Sequence, residues 1–196
     1  MELSELKICI DSAIDKCQSI IEDNPNVILS EADFERLIAN CISCVICENK
    51  RCPQDNDFSV HTQISHYVDG KVHPDARPDI LLLKESKLIE SIKGYIPHKL
   101  EKYNGPSIAI ELKYLHVGDC TSKVQHDFDK WKNKLNKKNW LYVIVLLDSP
   151  CKPKKRQFYE NKRNKIIQLY NMMIKEHPQY SKNILNCSVL RKAKKT

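Results

Sequence analysis

The chain has 196 residues, with 32 Lys and Arg against 25 Asp and Glu and a formal net charge of +7, long enough for one compact domain with a real core. No apolar run approaches the roughly 18 residues of a membrane span, and the opening stretch MELSELKICIDSAIDK mixes acids into its apolar residues, unlike the core of a secretory signal. Nine cysteines without such a signal predict a reducing, cytoplasmic setting, and the basic excess fits an anionic partner, most simply nucleic acid.

Leu3, Leu6, Ile10, Ala13, Cys17 and Ile20 recur at three- and four-residue steps, so residues 2–22 read as an amphipathic helix. Its apolar face offers a seam for a homodimer. Ser30, with Asp33 three residues on, opens a second helix as a weaker form of the capping box. Phe34, Leu37, Ile38, Cys41, Ile42, Val45 and Ile46 form the buried stripe of that helix. Residues 58–68 alternate, with Val60, Thr62, Ile64, His66 and Val68 on one face and Ser59, His61, Gln63, Ser65 and Tyr67 on the other, which predicts a half-buried strand. Residues 79–83 form a short apolar strand, and 84–106 predict a helical excursion. SIAIELKYL (107–115) reads as a buried strand, followed by a helix carrying Val124, Phe128, Trp131 and Leu135. Residues 140–148 are another buried strand. SPCKPKKR (149–156) reads as a basic loop, then Ile166, Ile167, Leu169, Tyr170, Met173 and Ile174 mark a long basic helix. ILNCSVL (184–190) is a last edge strand. This order predicts an α/β fold, a mixed central sheet flanked by helices.

The strand 107–115 holds an anomaly. Glu111 and Lys113 stand two residues apart, hence on one face, where an apolar strand excludes charge unless it is paired or functional. An acid, any residue and a lysine is a cheap triplet, and six occur, beginning at Glu5, Glu48, Asp69, Glu85, Glu111 and Glu160. Only the one at Glu111 lies inside a hydrophobic strand. Pro78 and Asp79 sit at the mouth of the strand before it, so neighbouring strands would bring Asp79 to the same face. Two carboxylates at short spacing suit a hard divalent ion such as Mg²⁺.

This arrangement, Pro78-Asp79 followed by Glu111-Leu112-Lys113, resembles the PD-(D/E)XK nuclease superfamily with its restriction-endonuclease-like fold. The resemblance covers about residues 30–148, where the predicted order of helix, three strands, helix and strand matches the αβββαβ core of that fold. The N-terminal helix 2–22 and a basic C-terminal extension, 150–196, lie outside it, within a single nuclease-like domain. The separation of 32 positions from Asp79 to Glu111 is long for the family and implies an insertion at about 84–106. In SEADFERLI, Glu31 precedes Phe34 and Leu37 at the spacing that some Holliday-junction resolvases of the superfamily use for an acid on the first core helix. The ordinary account of Glu31 is an acid favoured by the helix macrodipole.

The resemblance implies a metal-dependent nuclease acting on nucleic acid, taken as DNA, in restriction, repair, recombination or defence against mobile elements. It implies that Asp79, Glu111 and the main-chain carbonyl of Leu112 hold Mg²⁺, with Mn²⁺ as a substitute. Lys113 would position the attacking water, and in-line attack would leave a 5′-phosphate and a 3′-hydroxyl. The alternatives are a catalytically silent nuclease-fold protein that binds nucleic acid or a protein partner, and a basic interaction module.

Beyond this set, His61 and Gln63 sit on the polar face of their strand, more simply solvated than functional. Lys123, His126 and Lys130 are expected on the exposed side of their helix, where they would touch phosphates. Lys152, Lys154, Lys155 and Arg156 would act likewise, as would the tail 191–195. Cys41, Cys44, Cys47 and Cys52 have a spacing that hints at zinc or an iron–sulfur cluster. The first three fall on a periodic helix, however, which favours buried thiols serving as small hydrophobes.

Overall fold

A computed structural model describes residues 3–49, 58–62, 67–68, 71–72, 77–87, 103, 105–116, 118–131, 139–149, 153–176 and 184–193. Helix α1 (Leu3–Asp23) and helix α2 (Glu31–Glu48) are followed by strands β1 (Phe58–Thr62), β2 (Tyr67–Val68), β3 (Lys71–Val72), β4 (Ile80–Lys84) and β5 (Ser107–Leu115). Helix α3 (Ser122–Trp131), strand β6 (Asn139–Ser149), helix α4 (Pro153–Glu176) and strand β7 (Ile184–Ala193) complete the order. Five strands form a mixed sheet in the order β1-β4-β5-β6-β7. The β1–β4 and β4–β5 pairs are antiparallel, and β5–β6 and β6–β7 are parallel through the crossover helices α3 and α4.

Alternation along the strands divides the core in two. Ile80, Leu82, Ile108, Ile110, Leu112, Tyr142, Ile144 and Leu146 pack beneath α1 and α2. Leu81, Leu83, Ala109, Leu115, Val143, Val145 and Leu147 pack against Val124, Phe128 and Trp131 of α3 and Ile166 and Met173 of α4. Strands β5 and β6 are covered on both faces, which is why they read as unbroken apolar runs. The α2 start forms as the sequence demands. Ser30 Oγ accepts the Asp33 N–H at 3.2 Å while Asp33 Oδ2 accepts the Ser30 N–H at 3.0 Å, so donors at the helix start find partners.

Four expectations are corrected. The strand predicted over 58–68 is divided between two sheets, with Phe58–Thr62 paired to Ile80–Lys84. Strand β4 itself starts only at Ile80, and Pro78, two residues earlier, has no N–H to give a ladder. Tyr67–Val68 instead pairs with Lys71–Val72 in a separate two-stranded ribbon. The segment expected as a basic loop is helical from Pro153 onward, proline being suited to a first helical turn. The apolar stripe of α1 is no dimer seam, because Leu6, Ile10, Ala13, Cys17 and Ile21 are buried in the chain's own core. Finally, the tail is not wholly a free basic clamp. Residues 191–193 belong to β7, and Lys192 is buried. The excursion expected within 84–106 and the position of Leu135 fall largely outside the described residues.

Strand β7 is an edge, and α1 covers it. Gln18 Nε2 donates to the Arg191 carbonyl at 3.0 Å, and the Arg191 N–H donates to Gln18 Oε1 at 2.9 Å. One side-chain amide thus stands in for a missing neighbouring peptide. The lane beside β5 is interrupted from the other direction. Strand β4 begins at Ile80 opposite Ile110, so the main chain of β5 beyond Ile110 loses its β4 partner.

Candidate active site

The vacated lane is where the candidate residues meet. Main-chain N–H groups two residues apart on a strand point to the same side, so Leu112 and Tyr114 both turn toward the side that β4 has left. Two carboxylates take them. Asp79 Oδ2 accepts the Leu112 N–H at 2.7 Å, and Glu31 Oε2 accepts the Tyr114 N–H at 3.0 Å. Within an extended residue the carbonyl shares the direction of the N–H, which sets the Leu112 carbonyl on the Asp79 side of the strand.

On either side of Leu112, on the α3 face, stand Glu111 and Lys113. Glu111 is only 2% exposed. Its Oε1 accepts from Lys130 Nζ and from Trp131 Nε1, both at 2.6 Å. Lys113 Nζ lies 3.6 Å from Glu31 Oε1 and 3.5 Å from Asp127 Oδ2. Asp127 is 4% exposed, and its Oδ2 has no hydrogen-bond partner among the described residues. Lys113 therefore sits between an acid from each side of the sheet.

Asp79, Glu111, Lys113 and Glu31 are thus brought together from β4's approach, β5 and the first turn of α2. Three members were not read as part of this group. Lys130 was expected in the open on the outside of its helix. Instead its side chain is mostly covered, with Nζ on Glu111 and, at 3.0 Å, on the carbonyl of Arg77. Asp127 and Trp131 come from the same helix. The signal that would have found them is the helical spacing of Asp127, Lys130 and Trp131 beside the Val124–Phe128 stripe.

Burial pushes the Glu111 carboxyl up to about 7, with the charge of Asp79 adding and Lys130 opposing. Burial also raises Asp79 and Asp127 above the usual carboxylate range. For Lys113, burial acts downward, but the charges of Asp127, Glu31, Asp79 and Glu111 outweigh it and hold the ammonium above the ordinary lysine value. Four carboxylates (Glu31, Asp79, Glu111, Asp127) face two ammonium groups (Lys113, Lys130). With all four ionised two negative charges would be left over, and with Glu111 holding its proton one.

No group of three or more His, Cys, Asp and Glu side chains forms a ready metal cage among the described residues. Mg²⁺ does not require one, since it keeps several waters and is held through one or two carboxylates plus phosphate oxygens. Asp79, Glu111 and the Leu112 carbonyl supply hard oxygen donors of the kind that pattern uses.

The remaining candidates stand apart. His61 lies opposite Leu81, which lies opposite Ala109, so it shares the Glu111 face of the sheet. Its ring is 2.7 Å from Ser59 Oγ, and burial pulls its pKa down. Gln63 is outside the described residues. Lys123 is exposed and paired with Asp119 at 2.6 Å, and His126 is exposed on the same helix. Lys154, Lys155 and Arg156 lie in the first turn of α4, and Lys152 is outside the described residues. Of the cysteine run, Cys41 is buried but Cys44 and Cys47 are exposed, so the buried-thiol reading holds for Cys41 alone. Cys52 is outside the described residues.

Comparison with known proteins gives no match: no family model, no curated protein and no solved structure is significantly similar to the chain. Among the described residues no helix is long and apolar enough to cross a membrane.

Proposed function

We propose that the chain is a metal-dependent nuclease of restriction-endonuclease-like fold that hydrolyses phosphodiester bonds in DNA. The order α2, β1, β4, β5, α3, β6 is the order expected of that core, with β2 and β3 as an excursion between its first two strands. The observation that carries the proposal is the pair of carboxylates, Asp79 and Glu31, seated on alternate N–H groups of β5 with Lys113 between them in sequence. Neither acid would be needed there if β4 simply continued the ladder.

On this reading Asp79, Glu111 and the Leu112 carbonyl hold Mg²⁺, which Mn²⁺ can replace. Bound there, the ion would supply an acidified water and neutralise charge on the scissile phosphate. Lys113 stays charged, because the acids around it favour the ammonium. Its role is to orient the attacking water and to face the charge that grows on the phosphate oxygens. It is not a free amine acting as base. Glu31 and Asp127 hold that ammonium from opposite sides. Trp131 Nε1 fixes the rotamer of Glu111. The basic residues Lys123, Lys154, Lys155 and Arg156 would meet the nucleic-acid backbone.

The test is cleavage of supercoiled plasmid and of single-stranded DNA with Mg²⁺, Mn²⁺ or EDTA. Cleavage should require the metal, disappear in Lys113→Ala and persist in Glu48→Ala, whose carboxylate pairs with Lys16 at 3.1 Å on the surface. Equal activity of the two variants would reject the site. Binding without cleavage under every metal would favour the silent nuclease-fold alternative.

A further inference from the structure

The three parallel strands end in one directed polar chain outside the site described above. Lys192, near the end of β7, is 8% exposed. Its Nζ donates to the Ile28 carbonyl and, at 2.7 Å, to Tyr114 Oη at the end of β5. An ammonium only donates, so the Tyr114 oxygen accepts there and must spend its single proton elsewhere. It donates to Asp148 Oδ1 at 2.8 Å, at the end of β6. The other oxygen, Asp148 Oδ2, lies 2.8 Å from His116 Nδ1. A carboxylate that accepts on both oxygens places the proton on Nδ1 and leaves Nε2 as the outward nitrogen. The His116 side chain is 60% exposed, with its ring 4.4 Å from that of Tyr114. Its backbone is pinned as well, the N–H to Asp119 Oδ2 at 2.8 Å and the carbonyl to Lys162 Nζ at 2.7 Å.

A hydrogen-bonded chain that starts at a buried ammonium thus ends in one oriented, solvent-facing imidazole. It stands at the carboxyl ends of parallel strands, where open α/β sheets bind their ligands. His116 follows Lys113 by three residues, about 10 Å along an extended chain. We propose that His116, oriented by Asp148, is a phosphate ligand: as the imidazolium, its Nε2–H donates to a backbone phosphate next to the one that meets Lys113. This rests on the nuclease reading of the Lys113 site. Asp148 from β6 and Tyr114 from β5 touch the ring, Asp119 before α3 and Lys162 from α4 hold its backbone, and Lys192 from β7, Lys123 from α3 and Cys120 stand on or beside Tyr114, Asp119 and Lys162 in turn.

The experiment uses the full chain in EDTA with a fluorescein-labelled DNA duplex at low salt, followed by anisotropy, and ¹⁵N-histidine NMR with the same duplex. His116→Ala should weaken binding about tenfold, the loss of one charge-assisted hydrogen bond, and Asp148→Asn should weaken it less. The His116 ring should show the Nδ1–H tautomer whenever neutral, and its Nε2 signal should move when the duplex is added. Binding unchanged in His116→Ala, or an Nε2 signal indifferent to bound duplex, overturns the assignment even where cleavage depends on Lys113. Wild-type protein that neither binds nor cleaves the duplex overturns the nuclease reading and this ligand with it.

Discussion

Asp79 Oδ2 accepts the main-chain N–H of Leu112 at 2.7 Å, across 33 positions of sequence. A side chain placed just before strand β4 thereby does for β5 what the next residues of β4 would otherwise do. The same contact fixes the carboxylate beside the Leu112 carbonyl and within the field of Glu111.

Asp79→Asn keeps an oxygen that can accept the Leu112 N–H, whereas Asp79→Ala leaves that donor without its partner. Thermal denaturation should show Asp79→Asn close to wild type and Asp79→Ala destabilised by about 1–3 kcal/mol. If Asp79 holds the metal, as proposed above, plasmid cleavage should fall in both by on the order of a hundredfold or more. An Asp79→Asn protein with full activity would remove this residue from the site.

Glu111 sets a pH dependence whose sign is unusual for a carboxylate. In the folded chain it holds its proton up to about 7, against an ordinary value of 4.5. Below the lower value both folded and unfolded states are protonated, and nothing is lost. Between the two values the unfolded state sheds the proton while the folded state keeps it, so stability falls as pH rises through this window. In EDTA, the melting temperature should drop between about pH 4.5 and about pH 7. Glu111→Gln should flatten the drop, and Mg²⁺ should restore stability more at the upper end than at the lower.

Asp127 is the largest of the charges that hold the Lys113 ammonium up against burial. Asp127→Asn should lower the Lys113 pKa, so that the amine acetylates faster than in wild type at mildly alkaline pH, as read by mass spectrometry of the Lys113 peptide. Cleavage should fall by about tenfold through loss of positioning, with its alkaline limb moved to lower pH. An unchanged acetylation rate would show that Asp127 does not govern this lysine.

Gln18 makes two bonds to the Arg191 main chain at the outer edge of β7. Gln18→Ala should cost about 1–3 kcal/mol for the pair and speed hydrogen exchange at the Arg191 amide. It should also raise the tendency to associate through the bared edge. Light scattering and exchange measured on the same sample read both effects.

Local chemistry determined much of this protein from sequence alone. The Ser30–Asp33 capping box starts α2 where its pattern says, because both partners lie within one turn. The apolar run around Glu111 and Lys113 makes β5, because a strand buried on both faces has no polar positions to spare. Strand alternation alone puts those two charges on one face. Tertiary structure decided the rest. The 58–68 alternation could not disclose that the segment is divided between two sheets, since pairing depends on where the neighbouring strand begins. The periodicity of α3 sets Asp127 in the row of Val124, Phe128 and Trp131, but it could not say which charges Asp127 and Lys130 would meet, because the rotation and depth at which a helix docks are set by packing against the sheet. Glu31 reaches Tyr114 across 83 positions, a meeting that no spacing rule contains. Sequence fixes which faces are apolar, and only the way those faces close on one another fixes which charges are left together.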